Sequence, residues 1–371
     1  LIASLYLIYN LSSYLVLSSS IAASILVYFF ISLIGHPSQK HGLPFPVMLR
    51  MSMGLNGARY LGLLRSIVGI FMFGIQTYFI SKSITYLARI IIYYLFDPQI
   101  LENEFVLEFF LGLNIIEWFS LIVTFFIQYF LFTNGQRYNQ GFLKFSAIIV
   151  YFGLIFFFVM LVADNSTQIF QSLKSNTTNT NLISKSNIMP FFILTGTIFS
   201  YFSIVLLNFG DFSRYVKTSR DLKIGNLFLF LNMIAFSFLA TTIVIGVDVL
   251  LNQKLIVVDQ IITKPMDIIG KIDNIYLTVY ALIFIIFSSL STNLITNYVP
   301  TQNSIINFLP KNLDLKSAGI LILIFGLITG GLWPSILSQI EIIKLIDSLA
   351  AFFGPIFGVI VADYYFVRKE N

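Results

Sequence analysis

The stretch 288–297 (SSLSTNLITN) brings hydroxyl and carboxamide side chains together inside a long hydrophobic segment. Hydroxyl oxygens can coordinate a hard cation such as sodium, and carboxamides pair with the N–H and C=O groups of amide-like ligands. In a helix these side chains fall on two adjoining stripes. One stripe contains Ser288, Ser291 and Thr292, and the other contains Ser289, Asn293, Thr296 and Asn297. The pattern predicts either a binding site or polar contacts that tie this helix to its neighbours.

The residues before this stretch, 275–287, are almost wholly apolar. The whole segment is therefore long enough to cross a hydrocarbon core of about 30 Å at about 1.5 Å per residue. Nine hydrophobic runs of this kind occur, at 15–34, 60–87, 115–132, 145–162, 189–207, 227–250, 275–295, 319–337 and 343–365. Only short loops join them, which predicts a bundle of membrane-spanning helices.

The composition agrees with a membrane protein. Of the 371 residues, 57% are hydrophobic and 11% are charged, and the mean hydropathy is +0.87, whereas about a quarter of the residues in a soluble protein are charged. The absence of cysteine excludes a disulfide framework and a Cys-ligated metal. His36 and His41 are a poor metal pair, because their spacing does not put two ligands on one helix face and Pro37 is expected to prevent a regular helix there.

The charges separate into two sets of connections. By the positive-inside rule the basic set is cytoplasmic, so the N-terminus is also predicted to be cytoplasmic, in the cell (inner, plasma) membrane. The basic set is Lys40, Arg50, Arg59, Arg65, Arg137, Lys144, Arg214, Lys217, Arg220, Lys223, Lys311, Lys316, Arg368 and Lys369. The acidic set on the opposite side is Asp97, Glu102, Glu104, Glu108, Asp164, Asp259, Asp267 and Asp273. Basic residues beside the membrane argue against a nucleic-acid partner.

Four motifs occur in order along the chain. They are GLPFPV with FGIQ within 42–76, LLNFGDFSRYVK at 206–217, STNLITNYVPTQN at 291–303 and GPIFGVIVADYYFVRK at 354–369. In type and spacing they resemble the motifs of the nucleobase:cation symporter-1 family, and the resemblance covers essentially the whole chain. It implies an all-α membrane protein, a multi-helix transmembrane bundle of the inverted five-helix-repeat sodium-symporter type, with one transporter domain over 1–371.

The resemblance also implies two repeats, at about 1–163 and 188–366, and interrupted first and sixth helices. In 193–207, Gly196 and nearby hydroxyls are able to satisfy backbone groups freed by unwinding, although a continuous helix is the alternative. The stub that begins at Leu1 is expected to be the second half of helix one. A complete family member would add the front half of that helix and usually two more helices, so a truncated chain is expected to be inactive.

The family's substrate site transfers to this chain motif by motif. The matching substrate-binding positions are Gln76, Asn297, Phe202, Met72, Phe73 and Tyr201. The two carboxamides complement the alternating N–H and C=O edge of a pyrimidinone, hydantoin or ureide, and Phe202 offers a flat face for stacking. The family usually has Trp at Met72, and a thioether cannot replace a π-stack, so Met72 and Phe73 are alternatively core packing.

For the cation, the matching ligands are the carbonyl of Ser288 and the hydroxyls of Ser291 and Thr292, completed in the family by carbonyls upstream of Leu1. Both hydroxyls favour sodium, since proton coupling would more naturally use a buried carboxylate or His. Asp211 and Arg214 flank the cytoplasmic end of 193–207 and form a possible inner gate, as do Asp363 and Arg368. The alternative is surface ion pairs worth under about 1 kcal/mol.

The resemblance therefore implies a secondary active transporter that is not an enzyme. It would import a nucleobase or related heterocycle (uracil, cytosine, allantoin, hydantoin) by sodium symport with alternating access, as a monomer in the lipid bilayer without an organic cofactor. One alternative is a proton-coupled permease for thiamine or another small heterocycle. A remote alternative is a respiratory-complex subunit, for which Glu117 and Lys344 are too few intramembrane charges.

Overall fold

A computed structural model describes residues 13–96, 98–178, 185–254, 275–339 and 342–369. The predicted half-helix stub, residues 1–9, and four predicted acidic loop residues, Asp97, Asp259, Asp267 and Asp273, lie outside these ranges. The long helices are α1 (Ser13–His41), α2 (Phe45–Leu95), α3 (Ile115–Phe132), α4 (Gln136–Thr178), α5 (Lys185–Leu207), α6 (Ser219–Lys254), α7 (Ile275–Asn293), α8 (Leu315–Leu332) and α9 (Ile342–Ala362).

Three of these helices continue through a π-helical turn. The turns are Leu294–Tyr298 after α7, Trp333–Leu337 after α8 and Asp363–Val367 after α9. A further helical segment, Val299–Phe308, follows the first of them, and the name α7 hereafter includes it and the turn. In the part of the chain that the structure describes, nine helices are long and apolar enough to span a membrane, and each overlaps one predicted run. The predicted spans are thereby confirmed.

The connection between α1 and α2 is more helical than predicted. The expectation that Pro37 prevents a regular helix is wrong, because α1 runs through Pro37 to His41. A proline has no N–H for the carbonyl four residues earlier, which here belongs to Leu33. The hydroxyl of Tyr365 donates to that carbonyl at 3.1 Å, so a side chain replaces the missing hydrogen bond.

The start of α2 contains a kink at Gly54, whose φ is 71° and ψ is 177°. Glycine has no Cβ and adopts this left-handed backbone conformation readily. The rest of the predicted connection is helical, which corrects the assignment of Arg65 to a cytoplasmic loop. Arg65 lies within α2, and only 1% of it is exposed.

The expected interruption of the helix at 193–207 is also corrected. Over Lys185–Leu207, α5 is one continuous helix that passes through Gly196. The Ser203 hydroxyl donates to the carbonyl of Ser200 at 2.6 Å. This hydroxyl therefore bonds inside its own intact helix rather than satisfying backbone groups freed by unwinding.

The helices form two compact units, each described here by itself. Unit 1 contains α1, most of α4, α5, α6 and α9. Within it α1 packs against α5 and α6, and α9 packs against α5. Val27, Ile31 and Leu206 form a buried cluster that half-buried aromatic rings surround. The unit consists of Leu1–Leu43, Tyr151–Lys271 and Ile342–Asn371.

Unit 2 is built around α2, which contacts α3, α7 and α8. Glycines allow α2 and α8 to approach closely, because a Cβ at Gly74 would overlap Thr329 and a Cβ at Gly326 would overlap the Phe73 ring. The unit consists of Pro44–Val150 and Ile272–Glu341. Both units take segments from both predicted repeats, and the repeat bounds 1–163 and 188–366 stay a prediction.

Local signals fix where α3 begins. The Asn114 side chain accepts from the Glu117 backbone N–H, and the Glu117 carboxylate accepts from the Asn114 N–H, each at 3.0 Å. This capping box satisfies two of the helix's first N–H groups. The second oxygen of Glu117 forms an ion pair with Lys82, which ties the start of α3 to α2.

Candidate functional site

Gln76 of α2 and Asn297 of α7 lie side by side in unit 2. The Asn297 side-chain N–H donates to the Gln76 carbonyl oxygen at 3.1 Å. Its other N–H donates to the side-chain oxygen of Asn293, one turn earlier, at 2.9 Å. The Gln76 amide donates to the main-chain carbonyl of Ser289 at 3.3 Å. The structure therefore brings together the two carboxamides that the sequence predicted as partners of one ligand.

The hydrogen bonds within the protein leave one acceptor and one donor of this pair unused. Asn297 donates both its N–H groups to protein, which leaves its carbonyl oxygen as an acceptor. Gln76 donates one N–H to Ser289 and retains the other. A carboxamide has two donors and one carbonyl acceptor. The pair can thus offer one acceptor and one donor to a ligand.

A buried polar network behind the pair fixes its orientation. Asn293 donates to the Phe73 carbonyl at 3.3 Å and to the Thr77 hydroxyl at 3.4 Å. The Thr77 hydroxyl in turn lies 3.1 Å from the Gln128 side-chain oxygen of α3. Such networks hold side chains in one arrangement. Sequence reasoning missed Thr77 and Gln128, although a polar residue inside an apolar span is a usable signal.

The π-helical turn that contains Asn297 ends two residues before a proline. Pro300 lies four residues after Thr296 and has no N–H for its carbonyl, and a proline ring clashes with that carbonyl in a regular helix. A π turn widens the helix by one residue and is frequent at functional sites. Pro300 is a sequence signal for irregular backbone hydrogen bonding at this point of α7, and it was overlooked.

The three predicted cation ligands also lie together. The hydroxyls of Ser291 and Thr292 donate to the carbonyl of Ser288 at 3.0 and 2.8 Å. Since each hydroxyl points its hydrogen at its own helix, its remaining lone pairs are free for another partner. All three residues are half-buried. The arrangement groups three oxygens at one place on α7.

The aromatic part of the predicted site is divided between the units. In unit 2, Met72 is half-buried one turn before Gln76, whereas Phe73 is fully buried between Phe132 and Tyr298. The Phe73 ring is therefore enclosed by protein, and the contacts described for it are those of core packing.

In unit 1, Phe202 packs on the buried cluster of that unit, and its ring meets the edge of Tyr201, which is 42% exposed. The roles predicted for Phe202 and Tyr201 in substrate binding stay predictions.

The charged residues of the predicted inner gate have different partners. Asp211 is buried and accepts from Asn208 at 3.0 Å. Arg214 donates to the hydroxyl of Tyr215 and lies over its ring at 4.6 Å. Asp363 and Arg368 do pair, at 2.8 Å.

The two histidines of unit 1 lie around one tyrosine. The rings of His36 and His41 both meet the ring of Tyr364, with centroids at 6.4 and 6.0 Å. Across the described ranges, no group of three or more His, Asp or Glu side chains is placed to hold a metal ion.

Sequence comparisons agree with the motifs. A family model described as "Permease for cytosine/purines, uracil, thiamine, allantoin" matches residues 1–371. The allantoin permease of Bacillus subtilis (strain 168) is 27% identical over 367 residues, which are 98% of this chain and 71% of that protein. The purine-uracil permease NCS1 of Arabidopsis thaliana is 26% identical over 358 residues, 95% of this chain and 56% of that protein. The chain thus spans little more than half of the plant protein.

The fold resembles that of a solved transporter. Mhp1, a nucleobase-cation-symport-1 family transporter in a closed conformation with bromovinylhydantoin bound, superposes with a TM-score of 0.69 at 16% identity, over 99% of this chain and 75% of that one. This likeness confirms the predicted fold class of the sodium-symporter type. The family match confirms the prediction of a multi-pass membrane transporter rather than an enzyme. The chain belongs to the family of permeases for cytosine/purines, uracil, thiamine and allantoin.

Proposed function

We propose that this protein is a secondary active transporter that imports a neutral nitrogen heterocycle together with sodium by alternating access. It acts as a monomer in the plasma membrane, with its N-terminus and basic loops on the cytoplasmic side. The basic and acidic loop residues support this orientation by the positive-inside rule. Family membership supports the permease activity.

The Gln76–Asn297 pair carries the proposal for the substrate. Its unused acceptor and donor match a lactam edge, in which a ring N–H donates to Asn297 and the adjacent ring C=O accepts from Gln76. Uracil, cytosine, hydantoin and allantoin all contain such an edge. Two relatives support this class, since one is named an allantoin permease and the Mhp1 structure holds a hydantoin.

Neutral carboxamides suit such a ligand better than charged side chains. A buried charge would need a counter-charge on the ligand, whereas an amide pairs with an amide edge without leaving a charge unpaired. Met72 lies one helical turn from Gln76, and its polarisable sulfur can contact the face of a ring. The site therefore favours a small planar heterocycle without net charge.

Sodium is proposed as the coupling ion from the oxygens of Ser288, Ser291 and Thr292. The hydroxyl oxygens of Ser291 and Thr292 keep lone pairs and are hard neutral ligands of the type that sodium prefers. The Ser288 carbonyl accepts both hydroxyl hydrogens, at 3.0 and 2.8 Å, and becomes a ligand when those hydroxyls turn towards the ion. The helices α2, α5 and α7 contain no Asp, Glu or His residue. A proton carrier of the usual kind is therefore not available on these helices.

The proposal is tested by uptake of labelled uracil, cytosine, allantoin, hydantoin and thiamine into cells that express this chain as part of its completed parent gene, with sodium replaced by choline in a parallel set. We expect sodium-dependent uptake of one lactam compound, lost in Asn297→Ala and Gln76→Ala. Asn134→Ala, which removes an exposed carboxamide from a turn, is the matched control and is expected to keep uptake.

The outcomes separate the parts of the proposal. Uptake that ignores sodium but stops with a protonophore would refute the cation assignment and favour the proton-coupled alternative. Transport of none of these compounds would refute the substrate class. For the ion, Ser291→Ala and Thr292→Val are expected to raise the sodium concentration for half-maximal uptake by about tenfold, as the loss of one favourable ligand predicts.

A further inference from the structure

The main-chain carbonyl of Thr296 lies where the series of backbone hydrogen bonds of α7 is interrupted. In a regular helix it would accept from the N–H of residue 300, but residue 300 is a proline. The guanidinium of Arg65 donates to this carbonyl at 3.1 Å from α2, 231 residues away in sequence. An arginine side chain thus takes the place of the missing backbone donor.

The environment of Arg65 is shaped for this contact. Arg65 is the largest fully buried side chain of the described residues, with 1% exposed. Gly69 lies one turn later on the same face of α2, and a Cβ there would come within 2.7 Å of the Arg65 guanidinium and would overlap Thr301. The absence of a side chain at Gly69 therefore opens the path along which Arg65 reaches α7.

The Thr296 carbonyl belongs to the peptide plane that ends at the Cα of Asn297. Because a peptide unit is rigid and planar, a hydrogen bond to this oxygen fixes the orientation of the plane and hence the direction of the Asn297 side chain. A charged donor makes a stronger hydrogen bond than a neutral one. We propose that Arg65 is a positioning residue for the substrate site, which holds the π-helical turn so that Asn297 faces Gln76.

This inference rests on the proposed role of Asn297 and adds a residue that does not touch the substrate. It explains why a charge is buried in a membrane-spanning helix, where ionisable side chains are costly and usually functional. Its consequence is a specific one, since loss of Arg65 should weaken substrate binding more than it slows turnover.

The experiment restores the missing donor in a different way. Arg65→Leu removes the guanidinium, and Pro300→Ala returns a backbone N–H to the Thr296 carbonyl. We expect Arg65→Leu to raise the KM for uptake by about tenfold or more, as for loss of a hydrogen bond to a charged group. The double variant Arg65→Leu/Pro300→Ala is expected to return KM to within about threefold of the parent.

Arg50→Leu is the matched control, because Arg50 lies on the same helix and donates to the Asn307 side chain at 2.6 Å, away from the π turn. The KM of Arg50→Leu for uptake is expected to equal that of the parent, and adding Pro300→Ala to this variant is expected to leave the KM unchanged. Arg65→Lys keeps one charged donor, so its KM is expected to lie between those of the parent and of Arg65→Leu. If Arg65→Leu does not accumulate in the membrane, the same test is made with Arg65→Lys. The positioning role then predicts a lower KM for Arg65→Lys/Pro300→Ala than for Arg65→Lys.

A raised KM that Pro300→Ala does not lower, in variants that accumulate normally, would overturn the positioning role. An unchanged KM in Arg65→Leu would overturn it as well. Asn297→Ala is measured in the same series to separate this from failure of the proposed function. If Asn297→Ala transports normally, the substrate site itself is misassigned. If it is inactive while Arg65→Leu is normal, only the role of Arg65 is lost.

Discussion

Units 1 and 2 each contain a proline within a membrane-spanning helix, and they satisfy the freed carbonyl in different ways. In unit 1, the neutral hydroxyl of Tyr365 donates to Leu33 behind Pro37 at 3.1 Å. In unit 2, the charged guanidinium of Arg65 donates to the carbonyl behind Pro300 at the same distance. Burying a hydroxyl raises the free energy of the folded state only slightly, whereas burying a charged guanidinium raises it much more. Unit 2 therefore uses the stronger donor where a predicted ligand-binding side chain follows directly.

Two other contacts show the same difference. The ion pair Lys82–Glu117 of unit 2 leaves 26% and 9% of the side chains exposed, against 39% and 17% for Arg368–Asp363 of unit 1. Gly74 of unit 2 has no room for a side chain, whereas no atom lies near a Cβ at Gly196 of unit 1. At this ion pair and at this glycine, the contacts of unit 2 are the more enclosed ones.

The largest effect is expected from the glycines. Gly74→Ala should destabilise unit 2 by about 3 kcal/mol, because the new methyl group overlaps Thr329 and crowds the Gly326 carbonyl. Gly196→Ala should be neutral or stabilising by up to about 1 kcal/mol and keep uptake, because α5 is continuous there. The check is thermal unfolding in detergent, together with uptake.

The fluorescence of Trp118 and Trp333 reports the unfolding of unit 2 in these measurements, because both tryptophans of the chain belong to that unit. Loss of uptake in a stable Gly196→Ala variant would show that α5 must unwind during transport. That result would reverse the conclusion drawn from the continuous helix.

The ion pairs come next. Lys82→Met should lower stability by about 2 kcal/mol, since it leaves the buried Glu117 carboxylate without its partner. Arg368→Met, on the more exposed pair, should cost under about 1 kcal/mol. Adding Glu117→Gln to Lys82→Met should recover most of the loss, since Gln keeps the capping box. Equal costs for Lys82→Met and Arg368→Met would remove this contrast between the units.

A smaller effect is expected at Tyr365. Tyr365→Phe removes one neutral hydrogen bond and should destabilise the protein by about 1 kcal/mol without changing the KM for uptake. Adding Pro37→Ala should restore the stability, because it returns the N–H that Leu33 lacks. If Tyr365→Phe raises KM as much as Arg65→Leu, the two prolines have equivalent roles and the comparison fails.

The smallest effect is a pH dependence at the start of α8. Hydrogen bonds from the Ser317 hydroxyl and backbone N–H hold the pKa of the Asp314 carboxyl below its ordinary value. A depressed pKa in the folded state means that this cap stabilises above the unfolded pKa, about 3.9, and loses its contribution as pH falls through the lower folded value. In unit 1, the hydroxyl of Thr218 caps the start of α6, where it accepts from the Asp221 backbone N–H at 3.1 Å.

The measurement compares the unfolding midpoint of the parent protein with that of Asp314→Asn, which stays neutral. The advantage of the parent should shrink on acidification below about pH 4. A difference that is constant with pH would show that the charge of Asp314 does not contribute to the cap.

Much of the fold was predictable because it depends on local properties. The bounds of the span at 115–132 match those of α3, since a long apolar run between polar caps determines a membrane helix without reference to the rest of the chain. One carboxamide of the candidate site was predictable for the same reason, because Asn297 lies in a polar stretch of an apolar span, where carboxamides are unfavourable unless they have partners. Gln76 was identified only through the family resemblance.

Other features depended on partners that are distant in sequence. Gln76 and Asn297 are 221 residues apart, and whether their amides bond to each other or point elsewhere is a matter of helix packing. Phe73 resembles a ligand-facing ring in the motif, yet the approach of α8 at Gly326 encloses it in the core. Pro37 failed to end α1 because a tyrosine 332 residues from Leu33 replaces its missing hydrogen bond.

The sequence by itself determined where the nine spans of the described residues lie, the family, and the residue types of the candidate site, because hydropathy and residue type act over one or two turns of a helix. Only the tertiary structure decided which carbonyl Arg65 satisfies, which amide groups stay unused at Gln76 and Asn297, and which aromatic ring is enclosed. These depend on how closely α2, α7 and α8 pack, and a hydrogen bond between helices exists only when packing brings donor and acceptor within about 3 Å.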